Sequence, residues 1–150
     1  MGLRLSTGLR NAIMGSSGFK GAMDGGVLDI FSGTIPTDAD QAEGSGTKLL
    51  RITVNGGAFA SNPLHFAASA VGGKLSKSDS ESWQGDGLAD GTASWFRFYD
   101  SNDTSGASTT AARFDGTVGT SGADLILTST SIVNGATTTI DAADFTLPAS

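Results

Sequence analysis

Two rhythms divide the chain. Over residues 3–24, LRLSTGLRNAIMGSSGFKGAMDGG, apolar side chains recur at helical spacing; from Gly26 onward they recur at alternate positions. Residues 6–14 predict a short helix, with Ser6 or Thr7 as its cap and Gly15 as its stop. Leu9, Ile13 and, one position over, Met14 share a face that Leu5 leads into, with Arg10 at its edge and Asn11 pointing away. Phe19, Ala22 and Met23 form a second apolar set, and the glycines around them limit it to one further turn. A helix this brief is marginal in water and needs a surface to lie on.

The alternating part predicts strands. In GVLDIFSG, Val27, Asp29 and Phe31 alternate with Leu28 and Ile30. KLLRITVNGG sets Leu50, Ile52 and Val54 against Arg51 and Thr53, and its NGG end signals a turn. PLHFAASAVGGKL reads as a weaker pair of strands around Gly72 and Gly73. TASWFRFYD carries aromatics on both faces, Trp95 and Tyr99 with Arg97 on one and Phe96 and Phe98 on the other, which predicts a central strand contacted on each side. AARFDGTV, ADLILTSTSIV, TTTID and DFTLP follow between turn residues. Short strands at such intervals predict a mainly β fold: one antiparallel sandwich or jelly-roll-like domain over 26–150, preceded by a helical arm over 1–25. Trp95, Phe96 and Phe98 are expected in its core. The connection over 32–47, with Pro36 and three acids, is expected as an exposed loop.

Composition narrows the function classes. Only 16% of the 150 residues are charged, and the net charge of −6 comes with 13 Asp and 2 Glu, a bias toward turns over helices. Nucleic-acid binding is not expected from an acidic chain whose basic residues are scattered. No apolar run approaches the roughly 20 residues of a membrane span, and Ser6, Arg10 and Asn11 interrupt any secretory h-region. MGLRLS fits the myristoylation pattern at Gly2 but is read as a chance match. With no Cys, disulfides and thiolate sites drop out.

Candidate chemistry is sparse. His65, the one histidine, alternates with Leu64 and Phe66 and is expected on a strand surface or interface. One His and no Cys exclude a zinc site of the usual kind. Asp100 to Gly106, DSNDTSG, and the group Asp38, Asp40 and Glu43 have the oxygen ligands a hard cation needs; the first departs from an EF-hand loop, and both read as solvated turns. VGGKLSK lacks the upstream glycine of a P-loop. No catalytic residue, metal ligand or cofactor site is therefore assigned, and the chain reads as non-enzymatic.

Four stretches carry a resemblance: LSTGLRNAIMGS, GGVLDIFSGTIPTDADQAEGSGTKLLRITVNGGAF, DGTASWFRFYD and IDAADFTLPAS. Together they resemble a family of small structural proteins encoded among the virion genes of tailed phages and prophages. The resemblance implies a many-copy particle component without enzyme activity, assembled in a bacterial cytoplasm. Its implied partners are capsid or neck subunits and further copies of itself in a symmetric oligomer. Head decoration is the leading expectation, with a neck, collar, head–tail connector or tail role as the alternative. Leu5, Leu9, Ile13, Met14 and Phe19 are the expected partner-binding residues, unless the helix closes the domain's own core. A second class, a carbohydrate- or cell-surface-binding module, would need exposed aromatics near acids, with Trp83, Tyr99 and Asp100 to Asp103 as candidates.

Overall fold

A computed structural model describes residues 2–15, 17–103 and 106–147. The chain begins with β1 (Arg4–Leu5), α1 (Thr7–Gly15) and α2 (Gly18–Met23), then enters β2 (Val27–Phe31) and β3 (Lys48–Val54). β4 (Lys74–Ser76), β5 (Trp83–Asp86), β6 (Gly91–Thr92), β7 (Trp95–Tyr99) and β8 (Arg113–Gly119) follow. β9 (Leu125–Ile126), β10 (Ser131–Ile132), β11 (Thr137–Ile140) and β12 (Asp144–Thr146) complete it. The fold is mainly β, as the alternation predicts.

Eight strands form one large sheet in the order β1-β8-β7-β2-β3-β5-β11, with β9 lying parallel to the far end of β8 and every other pairing antiparallel. β7 is an internal strand, buried on both faces, which is what its double aromatic pattern requires. β6 with β10, and β4 with β12, make two small ribbons.

One face of the sheet is apolar. Leu28, Ile30, Leu50, Ile52, Phe96, Phe98 and Phe114 point into a core that α1, α2 and the β4–β12 ribbon cover. Phe98 stacks on Phe114 with centroids 5.2 Å apart, and Phe145 of β12 packs edge-on against Phe114 at 5.0 Å. Phe19 of α2 reaches the same ring at 5.0 Å. The layer opposite the large sheet is thus helix and ribbon together.

The segment expected as an arm lies on this core. β1 pairs with β8, and Leu9 and Met23 are fully buried. Ser6 caps α1 as expected, its Oγ accepting the Leu9 amide at 3.1 Å. α1 crosses the 110–111 backbone so closely that a Cβ at Gly8 would collide with the carbonyl oxygens of Thr110 and Ala111.

The opposite face of the sheet is charged, and the connection over 32–47, an irregular and mostly exposed loop as expected, is also tethered to it. It folds back over that face as a strap, with Ala39 fully buried. The reason is the face itself: donors of Arg4, Arg97 and Tyr99 there need acceptors, and the strap's Pro36 and Gln41 carbonyls and Glu43 carboxylate supply them.

Candidate functional site

The charged face is built from one repeated local pattern. Five strands place a charged residue on the side away from the aromatic core: Arg4, Asp115, Arg97, Asp29 and Arg51. The register places these five directly opposite one another, Arg4 to Asp115 to Arg97 to Asp29 to Arg51, so the sign alternates across β1, β8, β7, β2 and β3. Arg97 clasps Asp115 through Nε at 2.6 Å and Nη2 at 2.7 Å, both side chains fully buried. Arg51 grips Asp29 the same way at 2.8 Å through Nε and Nη2, and Lys48 adds a third contact at 2.9 Å.

Protonation follows from this packing. Burial works against the Arg97 cation, but the Asp115 carboxylate beside it wins and raises its pKa. The Asp29 bond raises that of Arg51. Asp115 is itself pushed up by burial, although three arginines pull the other way.

The strap is fastened over half of this row. The Arg4 guanidinium donates to the Pro36 carbonyl, and Arg97 Nη1 donates to the Gln41 carbonyl at 2.7 Å. Asp40 accepts the Thr7 amide at 2.7 Å and the Thr7 hydroxyl at 2.6 Å, so the strap also holds the start of α1. The Tyr99 hydroxyl donates to Glu43 at 2.8 Å. Burial pushes the Tyr99 phenol far up, reinforced by Asp29 and Glu43. For both Asp40 and Glu43, burial favours the neutral acid, yet the hydrogen bonds and nearby arginines together outweigh it and leave the two carboxyls below their ordinary range.

Beyond the strap the face is open. A cavity of ≈ 380 Å³ lies there, lined by the rings of Phe31, Phe59 and Tyr99 and by the charged side chains of Glu43, Lys48, Arg51 and Asp103. The Arg51 guanidinium sits 5.9 Å from the Phe59 ring centre. Sequence reasoning passed over Phe59 and Lys48, because the first follows a turn and the second starts a strand. Only the register, a long-range property, joins them.

The residues singled out from sequence are placed as follows. Of the five expected partner-binding positions, Leu9 is fully buried, and Leu5, Ile13 and Phe19 are partly buried against the same core. Met14 points out, 86% exposed. Trp83 and Trp95 are fully buried and Tyr99 is 4% exposed, so the aromatic platform expected of a sugar-binding module does not form from Trp83 and Tyr99. Trp95 stacks on Phe31 at 4.3 Å on the charged face, while Phe96 and Phe98 enter the main core.

His65 is half exposed, as alternation predicts, and its Nδ1 lies 2.7 Å from Glu81 Oε2. Glu81 also accepts the His65 amide at 2.8 Å and the Trp83 indole N–H at 3.0 Å, a clasp between neighbouring segments. Asp103 pairs with Arg113 at 2.7 Å; Thr104 and Ser105 of the same loop lie outside the described residues. Among the described residues, no group of three His, Asp or Glu is disposed to hold a metal ion, and no helix is long and apolar enough to cross a membrane. In comparisons with protein-family models, curated proteins and solved structures, none matches the chain.

Proposed function

We propose that the chain is a non-enzymatic structural component of a tailed-phage particle, a head decoration protein that binds capsid subunits. The observation that carries this reading is where its apolar surface lies. Among the described residues, five large apolar side chains are exposed: Met14 on α1, Val71 in the hairpin before β4, Ile126 on β9, and Leu88 and Val133 beside the Gly87–Asn134 bridge. Each is too small a patch to hold a partner alone. Repeated by particle symmetry, such contacts act in parallel and add without any one being strong. The low charge and the resemblance to virion proteins support the same reading, and the clasps that occupy Asp29, Asp40, Glu43, Glu81 and Asp115 give those carboxylates structural roles.

The test is rebinding. Purified protein is added to particles that lack it, and the pelleted fraction is measured for the unaltered chain and for Met14→Asp. The unaltered chain is expected to co-sediment to saturation, and Met14→Asp to bind about tenfold more weakly with an unchanged unfolding midpoint. Failure of the unaltered chain to sediment with any particle overturns the proposal.

A further inference from the structure

We infer that the open cavity on the charged face is a binding site for a neutral polyhydroxylated ligand, one or two sugar units. This rests on the cavity and is independent of the particle proposal. Its volume, ≈ 380 Å³, falls within the range of small-ligand sites. It differs from the Trp83–Tyr99 platform considered from sequence, since its accessible ring is Phe59, half-buried on the loop after β3.

The charges decide the ligand class. Lys48 and Arg51 reach the cavity with side chains 38% and 41% exposed, and both are held by the fully buried Asp29 beneath them. Glu43 also lines the cavity; burial pushes its carboxyl up, but the Tyr99 hydrogen bond, its own amide, Arg97 and Arg113 together bring it below its ordinary value. Two cations thus face Asp29 and Glu43, and the third carboxylate at the cavity, Asp103, is paired with Arg113, so the charges balance. An anionic guest must compete with Asp29 for its own partners and meet the Glu43 charge. A cationic guest meets Lys48 and Arg51. A purely apolar guest strips water from their remaining N–H groups and returns nothing.

Hydroxyl groups fit without such a loss, because each both donates and accepts. Arg51 and Lys48 keep N–H donors beyond those spent on Asp29, and Glu43 keeps an acceptor oxygen beyond the one Tyr99 uses. The C–H face of a sugar ring has an apolar counterpart in Phe59. Donors, acceptors and a ring face therefore converge with no net charge to neutralise.

The experiment is a two-dimensional amide NMR titration of the full chain with maltose, cellobiose, lactose and diacetylchitobiose, with glucuronate and glucosamine as charged comparators. At least one neutral disaccharide is expected to shift the amides of Glu43, Lys48 and Phe59 with millimolar saturation. Phe59→Ala is expected to weaken that binding about tenfold with the unfolding midpoint unchanged. The inference is overturned if no neutral sugar moves those three amides. It is equally overturned if glucuronate or glucosamine binds there more tightly than every neutral sugar, or if Phe59→Ala binds as the unaltered chain does.

Discussion

Ser6 uses its hydroxyl three times, accepting the amides of Leu9 at 3.1 Å and Arg113 at 3.0 Å while donating to the Ala111 carbonyl at 2.8 Å. It is fully buried, so Ser6→Ala strands two N–H groups and one carbonyl away from water. The loss expected in chemical denaturation is about 1–3 kcal/mol; a change within a few tenths contradicts the assignment. Arg97 and Asp115 test the charged row. Arg97→Met leaves the buried Asp115 carboxylate without its clasp and is expected to cost about 3–5 kcal/mol. The double change Arg97→Met with Asp115→Leu removes both charges and is expected to recover much of that loss. Equal destabilisation of single and double variants contradicts the pairing. Alternation alone set Asp29 against Leu28 and Ile30, Arg51 against Leu50 and Ile52, and Arg97 against Phe96 and Phe98. It did not show that they meet, because their opposition depends on residues far apart in the chain, 18 for Arg97 and Asp115 and 22 for Asp29 and Arg51. The triplets Leu-Asp-Ile, Leu-Arg-Ile and Phe-Arg-Phe were the available sign: one charge between two apolar residues on adjacent strands calls for an opposite charge beside it.

Two elements gain a different role from the one their sequences suggest. The strap over 32–47 has the Pro, Gly and acids of a solvated loop, but Asp40 and Glu43 are spent on Thr7 and Tyr99. Composition could not reveal this, since a carboxylate that caps a helix looks the same in sequence as one in water. The folded pKa values of Asp40 and Glu43 lie below their ordinary 3.8 and 4.5. Their contribution is therefore complete above those values and is lost as pH falls through the lower folded ones. Hydrogen exchange of residues 32–47 at matched intrinsic rate is expected to stay slow down to about pH 4.5 and to accelerate below it before the sheet amides do. Uniform acceleration of strap and sheet contradicts the fastening described here. In α1, Gly8→Ala sets two effects against each other. Helix propensity favours Ala by about 1 kcal/mol, but the collision with the 110–111 carbonyls opposes it and, being with backbone, is hard to relieve. A net loss of about 1–2 kcal/mol is expected in thermal or urea unfolding; stabilisation means that α1 sits farther from that backbone.

Across the whole molecule, the N-terminal 25 residues belong with the domain they precede. Deleting residues 1–24 removes Leu9 and Met23 from the core and the Thr7 anchor from the strap. The remainder is expected to lose its cooperative unfolding transition, whereas a soluble, sharply melting 25–150 fragment contradicts this account. The periodicity identified the helix, its cap and its apolar face; it could not say whose surface that face covers, because the face fits any apolar layer. The mainly β architecture was legible from alternation, while β5 and the short β6 were not, for Gly85 and Gly91 blur the pattern around them. With four of the five N-terminal candidates turned inward, the proposed partner contact is left to Met14 and the other exposed apolar positions. The most direct measurement of the proposed role is the copy number of the chain in purified particles, by quantitative mass spectrometry against the major capsid protein. The account predicts a fixed ratio in the hundreds per particle that follows capsid symmetry. About a dozen copies would place the chain at the head–tail junction instead, and absence from the particles, or a ratio that falls with each round of purification, would contradict the account altogether.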